Sequence, residues 1–143
     1  MSDLSRTTRG ELLAVADATA LKQMAQRCLT AGIHARLIGE PTTGLVMMRV
    51  RQPIAHDSFY LDEALVTTAE VAIEDHEGWS MRLGDDRATT LAAAICDAVV
   101  ECGHPLGVDV EALCHQTRDA RSASRAGETV VLAPTAVQFE ELN

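Results

Sequence analysis

The 143 residues are 47% hydrophobic but only 3% aromatic, which suits one domain with an aliphatic core of Leu, Val, Ile, Ala and Met. A formal net charge of −9 and a pI near 4.9 argue against nucleic acid and anionic membranes as partners, since neutralising phosphates takes a surplus of Lys and Arg on at least one face. No segment approaches the roughly 20 apolar residues that span a bilayer, residues 1–10 lack the apolar core of a signal peptide, and a cytoplasmic protein is expected.

Residues 1–9 are polar and are expected to be mobile. Residues 11–16 predict a short helix. After a break near Asp17, the residues Leu21, Met24, Ala25, Cys28 and Leu29 recur at the spacing of an amphipathic helix, which Gly32 stops in a left-handed conformation. Residues 33–38 predict a short strand ended by Gly39-Glu40-Pro41. Residues 45–51 predict another, with Val46, Met48 and Val50 on one side and Leu45, Met47, Arg49 and Arg51 on the other. A loop then leads to the apolar triplet Phe59-Tyr60-Leu61.

The centre of the chain reads as an antiparallel hairpin. Leu65, Thr67, Ala69, Val71 and Ile73 alternate with more polar neighbours, residues 75–78 make a polar turn, and Trp79, Met81 and Leu83 resume the alternation. The pattern predicts that both apolar rows lie on one side of the sheet. Asp85 or Asp86 caps a helix whose stripe is Leu91, Ala94, Ile95, Ala98, Val99 and Cys102, stopped by Gly103 and Pro105. Residues 108–125 predict a last helix capped by Asp109, with Arg118, Arg121 and Arg125 along one side. Residues 129–143 predict an extended tail, whose Val137 and Phe139 would pair with another edge. The order predicts a single α+β domain over residues 1–143, an antiparallel sheet with a central hairpin covered by N-terminal and C-terminal helices.

Chemistry is sparse. The chain has no phosphate-binding glycine loop and no Gly-x-Ser-x-Gly elbow. Its four cysteines have no C-x-x-C spacing and read as buried reduced thiols. Cys102, His104, Cys114 and His115 straddle the last helix turn and are the nearest approach to a ligand or nucleophile cluster. His34, His56 and His76 stand singly. Asp85-Asp86 is explained by capping, and no metal site is expected. Arg49 and Arg51 share one strand face and can hold a phosphate or a partner's carboxylates. Residue chemistry alone therefore describes a small acidic domain with no self-sufficient active site, which points towards a subunit; the alternatives are a free-standing small-molecule binding domain or thiol enzyme built on the Cys102 to His115 region, and a homo-oligomer held by exposed strands.

Three segments then carry a resemblance: Thr43-Gly44-Leu45-Val46-Met47-Met48-Arg49-Val50-Arg51, Phe59-Tyr60-Leu61-Asp62-Glu63-Ala64-Leu65-Val66-Thr67 and Gly84-Asp85-Asp86, with the ending Thr135-Ala136-Val137-Gln138-Phe139-Glu140. In order and interval they resemble the PhnG family, the G subunit of the bacterial carbon-phosphorus lyase system. This chain has Leu61-Asp62-Glu63 where the family usually has Leu-Gly-Glu. The resemblance implies an accessory subunit, working with the H, I and J subunits of a core complex and with the L subunit. That system transfers methylphosphonate to the ribose of ATP and releases adenine. ATP is then a substrate of the complex, the chain alone holds no cofactor, and no catalytic residue of the family maps onto it. Phe59, Tyr60, Leu61, Val137 and Phe139 are the expected interface residues, Arg49 and Arg51 the expected phosphate or partner contacts, and a homodimer is an expectation for the isolated chain.

Overall fold

The computed structural model describes the backbone of residues 4–51 and 58–139 and the side chains of residues 4–47 and 63–124. The element order is α1 (Arg6–Leu13), α2 (Ala18–Thr30), β1 (Arg36–Arg51), β2 (Ser58–Ile73), β3 (His76–Leu83), α3 (Arg87–Glu101) and α4 (Gly107–Phe139). The three strands form one antiparallel sheet in the order β1-β2-β3, and the fold is α+β.

Local chemistry sets most helix ends. Ser5, Asp17 and Asp86 are the N-caps of α1, α2 and α3, accepting hydrogen bonds from the amides of Thr8, Ala20 and Thr89. Helix α2 closes on Gly32 at φ +96°, where the Gly32 amide donates to Leu29 O and the Ile33 amide to Cys28 O. Helix α3 closes the same way on Gly103, with bonds to Val100 O and Val99 O. Each end satisfies two carbonyls that a helix otherwise leaves without partners.

Helix α3 is the centre of the molecule. It lies directly on β2 and β3, while α2, α4 and α1 pack around its other sides. Ala92, Ala93, Ala94, Cys96, Ala98 and Val99 are all buried, so the single stripe predicted for it is in fact an almost complete apolar girdle. The alanines let the sheet come close. A Cβ built on Gly78 of β3 would lie 2.5 Å from Ala98 N and 2.6 Å from Ala98 Cβ, and would also overlap Ala94 O, so only glycine fits there.

That contact overturns the expected facing of the hairpin. Thr67, Ala69, Val71 and Ile73 of β2 do face the core, but their partners in register are Arg82, Ser80, Gly78 and His76. Trp79, Met81 and Leu83 lie on the opposite face and are exposed, Leu83 by 76%. The reason is the turn. Ile73 pairs with His76 across the two residues Glu74 and Asp75, with Glu74 at φ 55°, and a loop of even length opposes odd positions to even ones. The polar turn thus sits at residues 74–75, not 75–78.

Three further expectations change. Residues 6–9 are not loose polar chain but the first turn of α1, and Arg9 is buried. The two strands expected over residues 33–38 and 45–51 are one 16-residue strand, whose register shifts between Leu37, Gly39 and Thr42 absorb Pro41 at an edge, where a missing N–H is tolerated. The extended tail expected from residue 129 is instead helical through Phe139 as part of α4, although Gly127, the β-branched run at residues 129–131 and Pro134 all disfavour a helix interior.

Candidate functional site

The feature that leaves the body of the fold is a β-ribbon. Strands β1 and β2 pair along their length from Arg36 opposite Ala72 to Arg51 opposite Ser58, whereas β3 ends at Leu83 opposite Val66. Beyond that point β1 and β2 continue as two strands alone over seven residues of β1, about 20 Å at the usual rise. At the root of this ribbon Leu45, Val46, Met47 and Leu65 are 62, 40, 54 and 43% exposed. Thr43 and Thr67 hydroxyls lie 3.1 Å apart across the strands, and the Thr67 hydroxyl also donates to Gly84 O at 2.8 Å, which pins the root to the chain leaving β3.

Most of the site residues expected from sequence lie on this ribbon. Arg49 opposes Tyr60, Val50 opposes Phe59, and Arg51 opposes Ser58, after a register shift between Met48 and Arg49. Their side chains, with those of Leu61, Val137, Phe139 and Arg125, lie outside the described residues, as does all of His56. The backbone of Val137 and Phe139 is in α4.

A second feature was not anticipated. Asp97, buried in the middle of α3, accepts from Arg9 Nε at 2.9 Å, from Arg6 Nη2 at 3.4 Å and from the Trp79 amide at 3.0 Å. Arg6 also donates to Glu77 O at 2.7 Å and lies 3.0 Å from Glu101. Arg9 Nη2 lies 3.4 Å from Glu101 Oε1 without hydrogen-bond geometry. This node ties α1, α3 and β3 together and satisfies main-chain groups on the outer edge of β3. Beside it a cleft of about 530 Å³ is lined by Arg6, Gly10, Glu11, Trp79, Met81 and Asp97, among others. The sequence did carry a signal: Asp97 is a lone charge inside the apolar run of α3, and Arg6 and Arg9 are spaced three apart on a helix.

The Cys102 to His115 region does not converge into one centre. Cys102 and His104 line a hollow with His34 and Glu74. Cys102 Sγ donates to Val99 O, and His104 Nδ1 accepts from the Leu106 amide. Cys114 is instead fully buried, and burial pushes its thiol up to about 11; Cys28 and Cys96 are likewise raised by burial. His115 sits against Arg118 on α4, Nδ1 to Nη2 2.6 Å. Among the described residues no group of three or more His, Cys, Asp or Glu is arranged to hold a metal ion, and no helix is long and apolar enough to cross a membrane. Asp86 is a cap: the hydroxyl of Thr89 and then its amide hold the carboxyl below the usual carboxylate range.

A small α+β body with exposed aliphatic residues on a two-stranded ribbon has the surface pattern that marks contact sites in proteins generally. The chain matches the sequence profile of the family described as Phosphonate metabolism protein PhnG over residues 4–143, and it belongs to that family. It is similar to the Alpha-D-ribose 1-methylphosphonate 5-triphosphate synthase subunit PhnG of Rhizobium meliloti (strain 1021), 39% identical over 103 residues that cover 69% of this chain and 64% of that protein. The match thus spans just under two thirds of the relative's length.

Proposed function

We propose that this chain is an accessory subunit of an alpha-D-ribose 1-methylphosphonate 5-triphosphate synthase in phosphonate breakdown, bound to the H, I and J subunits of the carbon-phosphorus lyase core complex and acting with the L subunit in the cytoplasm. In that reaction a phosphonate oxygen forms a bond to the ribose anomeric carbon of ATP as the bond to adenine breaks. Both substrates are polyanions, and a chain of net charge −9 repels them. The bond-making groups are therefore assigned to other subunits, and this chain is given a supporting role with no cofactor of its own. Arg49 and Arg51 act at a subunit contact or at the rim of a shared pocket.

The observation that carries this reading is the ribbon. A two-stranded ribbon with exposed Leu45, Val46, Met47 and Leu65 is marginal in water unless something packs on it. A tagged chain co-expressed with the candidate H, I and J subunits is expected to retain them through purification, and the synthase reaction to fail when this chain is left out. A lone monomer that retains none of them overturns the reading.

A further inference from the structure

The sheet has two edges, and they are treated differently. On β3 the outward main-chain groups of Glu77 and Trp79 are already taken by Arg6 and Asp97, so no strand can add there without breaking the ion-pair node. On β1 the half nearest α2 is interrupted by Pro41 and by the register shifts at Leu37, Gly39 and Thr42, features that discourage pairing. Among the described residues, 43–47 near the root have no such guard, and the one register shift of the ribbon comes after them, between Met48 and Arg49. The run Thr43-Gly44-Leu45-Val46-Met47 pairs without a shift to β2 on one side, lacks proline and charge, and has its apolar side chains exposed.

Charge selects what fits this edge. The chain is acidic overall, yet residues 43–51 carry Arg49 and Arg51 and no acid. The β2 side of the ribbon has the opposite character, with Asp62 and Glu63 in the strand and Asp85 and Asp86 just beyond the end of β3. A second copy brought to the β1 edge would add two more arginines to the same ribbon and set two bodies of charge −9 beside one another. An acidic strand would complement the basic sequence of this edge instead.

We infer that the open edge of β1 over residues 43–51 takes up an extended strand from another subunit of the assembly, a strand that places Asp or Glu beside Arg49 and Arg51. This rests on the accessory-subunit reading and names the geometry and chemistry of the contact. Main-chain hydrogen bonds along the edge supply affinity, the exposed faces of Leu45, Val46 and Met47 supply burial, and the arginine end fixes polarity and register.

Amide hydrogen exchange on the free chain and on the complex co-purified with the H, I and J subunits tests it. Residues 43–51 are expected to exchange about tenfold or more slowly in the complex, as alternate edge amides gain partners. The double variant Arg49→Glu/Arg51→Glu is expected to lose about tenfold or more in capture, with its unfolding temperature unchanged, while Arg49→Lys/Arg51→Lys retains most of it. A complex that forms without protection over residues 43–51, or capture indifferent to the double charge reversal, overturns the inference and leaves the subunit reading standing. A concentration-dependent dimer of the isolated chain that protects the same residues assigns the edge to a second copy and also overturns it. Failure of the wild-type chain to retain any of the three subunits overturns the subunit reading itself, and the inference with it.

Discussion

Two glycines should respond to the same substitution with opposite sign. In Gly78→Ala the new methyl would meet Ala94 O, Ala98 N and Ala98 Cβ at 2.6 Å or less, whereas carbon contacts settle near 3.5–4.0 Å. All but one of these neighbours are backbone atoms of α3, so no side chain can swing aside. The helix must retreat by about 1 Å across the sheet, which loosens the packing of Ala94 and Ala98 as well. Overpacking of this kind costs about 1–3 kcal/mol. At about 2–4 °C per kcal/mol for a chain of this size, an unfolding temperature lower by about 2–12 °C is expected. Gly10, within α1, meets nothing within 4 Å, so Gly10→Ala only restricts the unfolded chain and should stabilise by about 0.5–1 kcal/mol. Urea unfolding followed by the fluorescence of Trp79, the single tryptophan, measures both. A Gly78→Ala protein within about 0.5 kcal/mol of wild type would refute the close approach of α3 to β3.

Asp97→Ala removes the carboxylate and leaves Arg9 buried, so a loss of about 3–5 kcal/mol is expected by the same urea assay, with partial recovery in Arg9→Met/Asp97→Leu. Asp86→Ala should cost about 1 kcal/mol at pH 7 through the lost cap. Because the Asp86 carboxyl is held lower in the folded chain than in the unfolded one, its contribution is complete above the unfolded pKa near 4; it fades as pH falls through the lower folded value, so wild type and variant should converge in acid melts. Thiol titration with a disulfide reagent at pH 8 should modify Cys102 in the native state. Cys28, Cys96 and Cys114, buried and raised by burial, should react only on unfolding; mass spectrometry of native labelling that found Cys114 modified would contradict its placement.

Helix ends were the most legible part of the sequence, because a cap or a glycine stop acts over one turn: Asp86, Gly32 and Gly103 do what their positions imply. The core row of β2 was legible too, since Thr67, Ala69, Val71 and Ile73 alternate. The facing of β3 was not. Its largest apolar residues, Trp79 and Met81, are exposed, while Gly78 meets the helix and Ser80, on the same face as Gly78, is buried. Hydrophobic alternation assumes that a core contact is made by big side chains, and here it is made by small ones on both sides; the matching clue was the alanine content of α3, in another element. Residues 43–51 and 59–67, the segments that carried the resemblance, pair as the two strands of the ribbon. The Cys102 to His115 grouping failed because neighbours in sequence on a helix can face apart: Cys114 points into the core while the adjacent His115 meets Arg118.

The Arg9 to Asp97 pair joins residues 88 positions apart, and Arg6 reaches Glu77 across 71. During synthesis at about 5–20 residues per second, the N-terminal helix must therefore wait about 4–18 s after it emerges before its anchor exists. Until then its two arginines have no carboxylate on α3 to meet, and the outer edge of β3 has nothing across it. Docking of α1 thus waits on α3, and throughout that interval the outer edge of β3 stands open to a neighbouring strand.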